Sequence, residues 1–334
     1  MSRISILGGG SWGTALAIVL SRARSKHEIS LWVHDAALAE SIARDRENRT
    51  YLPGHRLVPE AKVTARIEEA ISGAQIVVGS IPTMYARAVY SAAAASASRG
   101  CAFVSAAKGL EPATHQRMSE VARAVFPAGL GVQFAVLSGP SFAVEVARGE
   151  PTAVVLASAD ARVASELQEQ FAAPNFRVYT NADVLGVELA GAMKNVIAIA
   201  AGVCQGLGLG ANPLAALITR GLAEMSRLAA ALGAQPETLT GLAGLGDLVL
   251  TCTGALSRNR QVGIELGKGR PLKEVLTGMR MVAEGVGTTS ALLNLAREAE
   301  VELPITEQVA DILHRGKPPR EAIRQIMERP QKRE

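Results

Sequence analysis

The sequence predicts an α/β protein in which a doubly wound, mostly parallel β-sheet is followed by an all-helical second domain. Three observations support this prediction. Near the start of the chain, a glycine-rich turn joins a short apolar strand to a helical segment. Apolar strand-like runs then alternate with helical segments, which is typical of a parallel sheet. From about residue 183 longer helices replace the strands, so we place one domain at residues 1–182 and a second at residues 183–334.

The first element is the strand Arg3–Leu7, and the glycine turn follows it directly. The turn reads Gly8-Gly-Gly10-Ser-Trp-Gly13, and Thr14–Ala23 has helical composition. This is G-x-G-x-x-G between a strand and a helix, the context in which the motif binds dinucleotides. Its glycines permit a tight turn, close approach to a pyrophosphate and close helix–strand packing. The alternative is a plain glycine turn, but the context predicts a Rossmann-type domain with phosphate at the helix N-terminus.

The second strand, Glu28–Val33, ends at a histidine rather than at an acid. A strictly NAD-selective site usually places a carboxylate at this strand end to bind the ribose 2′-hydroxyl. Here His34 comes first and Asp35 follows, and the next segment carries arginines at positions 44, 46 and 49. We interpret this as a cofactor site that tolerates NADP, with use of both NAD and NADP open. The alternative is that His34 is only a loop residue.

The remaining strands of the first domain are short apolar runs separated by helical segments. We predict strands at Gln75–Ile81, Cys101–Ala106, Phe134–Leu137 and Ala153–Ala157, and helices at Met84–Ser98 and Thr114–Phe126. Ligands bind at the carboxyl ends of such strands, where the loops carry Lys108 and Ser138-Gly139-Pro-Ser141. Lys108 is therefore a candidate for binding a phosphate or the substrate, and a surface lysine is the alternative.

The second domain is predicted to consist of helices with apolar faces. Asp183 and Thr306 are candidate N-caps for two of them. The predicted helices are Asp183–Gly202, Pro213–Leu232, Gln261–Gly267, Leu272–Thr277, Thr288–Glu300 and Thr306–His314.

Lys194 is the only charged side chain between Leu189 and Thr219, in a segment that reads as a buried helix. An ammonium group is costly to bury unless a partner or a function holds it there. A desolvated lysine has a lowered pKa and can exchange protons near neutral pH. Lys194 is therefore the candidate catalytic acid and base.

A glycine-rich segment further along the chain carries the other candidate ligand groups. The glycines of Gly241–Gly254 bring backbone close to a ligand and present Asp247 from a rigid turn. Ser257-Arg258-Asn259-Arg260 then opens a helix, and such a capped N-terminus with arginines can bind a phosphate. The alternative is a capped helix with solvated arginines, which is the better explanation for Arg260.

Composition excludes several classes of function. The net charge is +4 and no dense Lys/Arg stripe appears, so we expect no nucleic-acid partner. The three cysteines form no C-x-x-C pair, so we expect neither a disulfide framework nor a metal site.

The apolar stretch 189–219 is interrupted by Gly206–Pro213, so we expect no transmembrane segment. The start reads as a strand rather than a signal peptide, and we expect a cytoplasmic location.

Taken in order, the motifs resemble those of the bacterial NAD(P)-dependent glycerol-3-phosphate dehydrogenases, and the resemblance extends to about Gly316. Two positions depart from the usual family residue while keeping its chemistry: Trp12 where many relatives have Tyr, and Ser141 where others have Thr. The matching motifs are Gly8-Gly-Gly-Ser-Trp-Gly13-Thr-Ala-Leu-Ala, Lys108-Gly-Leu-Glu, Ser138-Gly-Pro-Ser-Phe-Ala143, Met193-Lys-Asn-Val-Ile-Ala, Gly244-Leu-Gly-Asp-Leu, Thr251-Cys-Thr and Ser257-Arg-Asn-Arg260.

The resemblance implies reversible reduction of dihydroxyacetone phosphate to sn-glycerol 3-phosphate with NADH or NADPH, which supplies phospholipid synthesis. It implies that Lys194 is the proton donor and acceptor. The implied substrate-binding residues are Lys108, Gly139, Ser141, Lys194, Asp247, Ser257, Arg258 and Asn259. The implied cofactor-binding residues are Ser11, Trp12, His34, Lys108, Ala143, Arg258, Val282 and Glu284. The glycine motif itself adds Gly8, Gly10 and Gly13 to this set.

Two alternatives stay open beside this reading. One is an enzyme of the same two-domain architecture that acts on another hydroxy acid or sugar phosphate. The other is a dinucleotide-sensing module that binds NAD(P) without turnover, which leaves Lys194 and the Asp247 loop unexplained. A homodimer is one assembly that the sequence allows, although the sequence does not define the oligomeric state.

Overall fold

The computed structural model describes residues 2–279 and 281–331, and within them a single eight-stranded sheet forms the centre of the first half. The sheet order is β3-β2-β1-β4-β5-β6-β7-β8, and every neighbouring pair is parallel except β6 and β7. The strands are β1 (Ser2–Leu7), β2 (His27–Trp32), β3 (Lys62–Thr64), β4 (Ile76–Gly79), β5 (Ala102–Ser105), β6 (Gln133–Ser138), β7 (Thr152–Ala157) and β8 (Phe176–Asn181). The predicted doubly wound, mostly parallel sheet is confirmed.

Successive side chains of the central strands pack on opposite faces of the sheet. Ile6 and Val104 contribute to one buried apolar cluster, and Leu7 and Phe103 contribute to the other. The period of two in a strand produces this division, and it explains why the central strands read as continuous apolar runs.

Helices cover the sheet and make up the second half of the chain. Those of the first half are α1 (Ser11–Ser21), α2 (Ala36–Asp45), α3 (Ile67–Ile71), α4 (Ala86–Ala94), α5 (Met118–Val125), α6 (Ala143–Arg148) and α7 (Ala161–Phe171). Those of the second half are α8 (Val184–Gly206), α9 (Ala211–Ala231), α10 (Pro236–Thr240), α11 (Asp247–Thr253), α12 (Arg258–Gly267), α13 (Leu272–Thr277), α14 (Glu284–Glu298), α15 (Pro304–Arg315) and α16 (Pro319–Met327). The predicted all-helical second half is confirmed.

Two compact units can be distinguished by their internal contacts. The first takes in the residues up to Lys108 together with Gln116–Glu188. The second takes in Gly109–His115 and the residues from Leu189 onward. The division therefore falls inside α8, and the domain bounds at residues 182 and 183 stay a prediction.

Of the two predicted N-caps, one is confirmed and one is wrong. The Asp183 carboxylate accepts from the Gly186 N–H (2.8 Å) at the start of α8. Thr306 is instead the third residue of α15, which begins at Pro304. The free N–H groups at that end donate to the buried carboxylate of Glu224 from α9, at 2.5 Å for Ile305 and 3.2 Å for Thr306. A distant carboxylate thus takes the place of a local cap.

Among the described residues, one single helix is long and apolar enough to cross a membrane, namely α8. However, 83% of its apolar window is buried inside the protein. A bent pair of segments, Pro236–Thr253 with Arg258–Gly267, passes the same length and composition test only when counted as one span. Burial of this extent is typical of a core helix. The sequence analysis predicted such a buried helix around Lys194.

Candidate active site

The glycine turn after β1 has the geometry that a dinucleotide pyrophosphate requires. Gly8 has φ +121°, and a Cβ added there would lie 2.3 Å from Ser80 O. A Cβ at Gly13 would lie 1.9 Å from Gly8 O, so only glycine allows helix and strand to approach this closely. Gly10 faces open space, with nothing within 4 Å of an added Cβ. It occupies the N-cap position of α1 and offers no capping side chain, so the N-terminal N–H groups suit a phosphate.

The next two residues of the turn motif are the first two of α1. Ser11 and Trp12 follow Gly10 directly and are partly exposed. The indole Nε1 of Trp12 is buried and has no hydrogen-bond acceptor within the part of the chain that the structure describes. A buried donor of this kind is costly unless a partner satisfies it. The turn therefore fits the dinucleotide that the motif predicts.

At the end of β2, His34 and Asp35 differ in what they contact. The Asp35 carboxylate caps α2 by accepting from the Leu38 N–H at 2.7 Å. His34 is exposed, and its ring packs edge-on against Trp32 with centroids 5.8 Å apart. The acid is therefore occupied by its own helix, and His34 is the exposed side chain at the position where NAD-selective sites place a carboxylate.

Three predicted substrate residues of the first unit lie together after β5 and β6. Lys108 Nζ donates to Gly139 O (2.7 Å) and lies 3.4 Å from Ser141 Oγ, and Ser141 Oγ also donates to Gly139 O (2.8 Å). Gly139 has φ +122°, which favours glycine. Ala143, a predicted cofactor residue, is the first residue of α6. The chain thus gathers a cationic and a hydroxyl group at the carboxyl ends of two neighbouring strands.

In the second unit, Lys194 is buried in the middle of α8 and pairs with an acid. It is 6% exposed, and its Nζ lies 3.0 Å from Asp247 Oδ1. Asp247 is only 1% exposed. Burial disfavours the ammonium form, whereas a carboxylate at this distance favours it. The pair therefore places a carboxylate beside the amino group of a lysine that is largely withdrawn from water.

Thr251 is a third member of this group that the sequence prediction missed. Its Oγ1 accepts from Lys194 Nζ (2.8 Å) and donates to the Asp247 carbonyl (2.5 Å). Thr251 follows Asp247 by four residues on α11, and side chains at this spacing share a helix face. The i, i+4 spacing after Asp247 was therefore the signal that could have identified it.

The segment that presents Asp247 is a π-helical turn rather than the predicted rigid glycine turn. Leu242–Gly246 forms this turn and runs directly into α11. A Cβ added at Gly244 would lie 2.0 Å from Leu239 O, so glycine is required for the close packing on α10. Short π-helical segments occur often at functional sites.

Two asparagines next to this group join three helices. Asn259 Nδ2 donates to Asn195 Oδ1 (2.9 Å), and Asn259 Oδ1 accepts from the Gly285 N–H (2.9 Å). Both side chains are buried. Asn195 directly follows Lys194, so these bonds tie α8 to the starts of α12 and α14. Asn259, a predicted substrate residue, thus has a clear structural role.

The start of α12 has the predicted serine cap. Ser257 Oγ accepts from the Arg260 N–H at 3.2 Å. Arg258 is exposed and donates to Val282 O at 2.9 Å, while Arg260 lies against Gly254 O at 3.4 Å. Glu284, two residues after Val282, is the first residue of α14. Arg258 therefore begins a serine-capped helix, and an exposed arginine beside a helix N-terminus is an arrangement that can bind a phosphate.

Glycines set the distance between α8 and α12. A Cβ at Gly202 would lie 2.0 Å from Arg260 O, and one at Gly263 would lie 2.0 Å from Ile199 O. Gly206 and Gly267 follow four residues further on, and a Cβ added there would lie 2.2 Å from Ile264 O and 2.6 Å from Val203 O, respectively. The helix that carries Lys194 and the helix that begins at Arg258 therefore cross in backbone contact, which fixes the two groups in one unit.

Within residues 2–279 and 281–331, no three His, Cys, Asp or Glu side chains are grouped so that they could hold a metal ion.

The structure divides the predicted site residues between its two units. The first unit holds Gly8, Gly10, Ser11, Trp12, Gly13, His34, Lys108, Gly139, Ser141 and Ala143. The second unit holds Lys194, Asp247, Ser257, Arg258, Asn259, Val282 and Glu284.

The sheet order and the open glycine turn define the class of Rossmann-type dinucleotide-binding proteins with a helical second unit. Two family models match the chain: the NAD-dependent glycerol-3-phosphate dehydrogenase N-terminus over residues 3–164 and the C-terminus of the same family over residues 183–324. The chain therefore belongs to the NAD-dependent glycerol-3-phosphate dehydrogenase family.

Individual relatives are similar over their whole length. The chain is 52% identical to the glycerol-3-phosphate dehydrogenase [NAD(P)+] of Koribacter versatilis, covering 99% of this chain and 98% of that protein. It is 53% identical to the protein of the same name from Acidobacterium capsulatum, covering 99% of each. The crystal structure of glycerol-3-phosphate dehydrogenase from Coxiella burnetii matches with a TM-score of 0.92 at 40% identity, covering 98% of this chain and 99% of that one.

Proposed function

We propose that the protein catalyses the reversible reduction of dihydroxyacetone phosphate to sn-glycerol 3-phosphate, with NADH or NADPH as the cofactor. Family membership and relatives named glycerol-3-phosphate dehydrogenase [NAD(P)+] support the reaction and both cofactors. The observation that carries the mechanism is the buried Lys194, held by Asp247 and Thr251. The proposed setting is the cytoplasm, the product serves phospholipid synthesis, and the proposed assembly is a homodimer.

The glycine turn and the N-terminus of α1 would hold the dinucleotide, which would supply a hydride for the carbonyl carbon of the substrate. Negative charge then develops on the carbonyl oxygen, and the Lys194 ammonium stabilises this charge and donates the proton. In the reverse direction the neutral amine accepts the proton from the hydroxyl. Proton transfer of this kind typically contributes about 10²–10⁴-fold in rate.

Asp247 and Thr251 keep the ammonium in position. An ionised Asp247 has no proton to donate, and at 3.0 Å from Nζ it orients Lys194 and offsets the cost of burying its charge. Thr251 accepts a hydrogen bond from Nζ at 2.8 Å and limits its rotation. A fixed ammonium needs little reorganisation when charge develops on the carbonyl oxygen.

The substrate phosphate is bound at the start of α12. Arg258 supplies a planar donor fork that matches phosphate oxygens, and the helix N-terminus adds backbone N–H groups. Binding of this remote group helps to fix the position of the reacting carbonyl. In the first unit, Lys108, Gly139 and Ser141 are proposed as further substrate contacts, following the family resemblance.

The direct experiment is a turnover assay run in parallel with NADH and NADPH. Purified protein should oxidise at least one of them when dihydroxyacetone phosphate is added. The keto acids that correspond to other hydroxy acids, and other sugar phosphates, are assayed in the same way. A clear preference for one of these compounds would identify it as the substrate in place of dihydroxyacetone phosphate. Binding of NAD(P)H with no turnover of any of these substrates would favour a sensing module instead.

A further inference from the structure

Asn48 connects a distant loop to the glycine turn. It lies between α2 and β3 and is fully buried. Its Nδ2 donates to Gly9 O (2.8 Å) and to Thr14 Oγ1 (2.8 Å). An asparagine amide has two hydrogens, so one is used on the turn and the other on the first part of α1. Both partners lie more than thirty residues away in sequence.

The loop that carries Asn48 is itself well fixed. Asn48 Oδ1 accepts from the Tyr51 N–H (3.1 Å), and Asn48 O accepts from the Leu52 N–H (2.8 Å). Arg46 ties the same loop by donating to two of its backbone carbonyls. The amide of Asn48 is therefore presented to the glycine turn from a rigid support rather than from a mobile side chain.

The hydrogen bonds from Asn48 matter to the glycine turn because the turn has few stabilising side-chain contacts of its own. Its glycines carry no side chains to pack, and Gly10 provides no side-chain cap for α1. The bonds from Asn48 join a residue before the helix, Gly9, to a residue inside it, Thr14. They therefore fix the angle at which the N-terminus of α1 leaves the turn, and a preorganised site loses less free energy on binding.

We propose that Asn48 is a positioning residue for the dinucleotide, holding Gly9 O and Thr14 Oγ1 so that the glycine turn keeps its phosphate-binding conformation. Asn48 acts through the turn and not on the phosphate itself. This inference rests on the dinucleotide binding in the proposed function. It adds a residue that lies outside the glycine motif to the determinants of cofactor affinity.

Two substitutions distinguish the hydrogen bonds that Asn48 donates to the glycine turn and α1 from the bond that it accepts within its own loop. Asn48→Ala removes every side-chain hydrogen bond of this residue. Asn48→Asp keeps an oxygen that can accept from the Tyr51 N–H but has no amide hydrogens to donate. We expect both variants to bind NADPH about tenfold more weakly than the wild type, by calorimetry without substrate. The turnover number at saturating NADPH should stay within about twofold, since the chemistry is untouched.

Two further variants serve as a control and as a safeguard. Asn175→Ala removes a similar bond, from an asparagine Nδ2 to Gly149 O (2.6 Å) in the same unit, and should leave NADPH affinity unchanged. Thr14→Val removes the acceptor of one of the two Asn48 bonds with little change in shape. It should weaken NADPH binding about threefold. Circular dichroism of each unliganded variant reports whether it is folded.

The outcomes are distinguishable. Tenfold weaker binding in both folded Asn48 variants, with normal affinity in Asn175→Ala, supports the inference. Wild-type affinity in either folded Asn48 variant overturns it. If neither Asn48 variant folds, the affinity of Thr14→Val decides, and an unchanged value overturns the inference. A wild-type protein that binds neither NADPH nor NADH contradicts the proposed function itself.

Discussion

A buried ion pair of one lysine and one aspartate carries the proposed chemistry. Lys194 and Asp247 are both almost completely withdrawn from water, and removal of either partner leaves the other charge without compensation. Burial alone indicated only a perturbed lysine. The contacts with Asp247 and Thr251 add that the direction of the Lys194 amino group is fixed, which is what a proton donor to a carbonyl oxygen needs.

Arg258 offers a test of the phosphate site at the scale of one residue. Arg258→Ala should raise the KM for dihydroxyacetone phosphate about a hundredfold, because a charge-assisted, two-pronged contact with the phosphate is lost. The matched control is Arg260→Ala, two residues along the same helix, whose guanidinium lies against Gly254 O. Its KM should change little. A change in thermal stability alone for Arg258→Ala would favour the alternative of a solvated arginine at a helix cap.

At the scale of elements, helix crossings and helix ends position these residues. The glycines of α8 and α12 allow backbone contact between the helix of Lys194 and the helix that begins at Arg258. The carboxylate of Glu224 on α9 satisfies the N-terminus of α15. Both arrangements join elements that are far apart in sequence, and they add specific contacts to the buried apolar side chains of the second unit.

Widening the crossing of α8 and α12 should cost stability and activity. Gly263→Ala places a methyl group 2.0 Å from Ile199 O, so the two helices must separate. We expect a loss of about 1–3 kcal/mol in the free energy of unfolding and a lower turnover number. Gly287→Ala is the control, because Gly287 also lies inside a helix, is exposed, and an added Cβ would meet only Pro112 Cγ at 3.7 Å. Equal stability of the two variants in denaturant titrations would contradict the role of the crossing.

The capping carboxylate of Glu224 should make stability depend on pH. Burial raises its pKa from 4.5 to about 7, against the hydrogen bonds from Ile305 and Thr306 that lower it. A carboxyl with a raised folded-state pKa stabilises the fold below the unfolded value and loses that contribution as pH rises. The contribution of Glu224 should therefore fall between about pH 4.5 and pH 7, by roughly 3 kcal/mol at most.

Glu224→Gln has no proton to lose and should remove this pH dependence. The measurement is the difference in free energy of unfolding between the wild type and the variant at several pH values. We expect the difference to shift in favour of the variant as pH rises through the window. A difference that stays constant from pH 4.5 to 7 would show that Glu224 does not titrate there.

At the scale of the whole molecule, sequence patterns predicted features that depend on near neighbours in the chain. The glycine turn, the Asp183 cap and the Ser257 cap are all local chemistry, and the structure has each of them. The Thr306 cap was wrong because its true partner, Glu224, is 82 residues away. Local patterns contain no information about such a partner.

Sequence patterns did not predict some parts of the fold and the site, and the physical reasons are similar. Strand β3 has three residues, and the edge strand β8 exposes Arg177 and Tyr179, so neither reads as an apolar run. The glycines before Asp247 predicted a turn, but the segment is π-helical, and its Gly244 packs closely against α10. The contact of Asn48 with the glycine turn joins residues that only the folded sheet brings together.

The turnover number of Lys194→Ala with dihydroxyacetone phosphate and saturating NADPH tests the central claim most directly. The matched control is Lys268→Ala, an exposed lysine of the same unit paired with Glu265. The account predicts that Lys194→Ala still binds NADPH but turns over at least about a hundredfold more slowly, while the control keeps normal activity. Turnover close to that of the wild type in a folded Lys194→Ala protein would contradict the assignment of Lys194 as the proton donor.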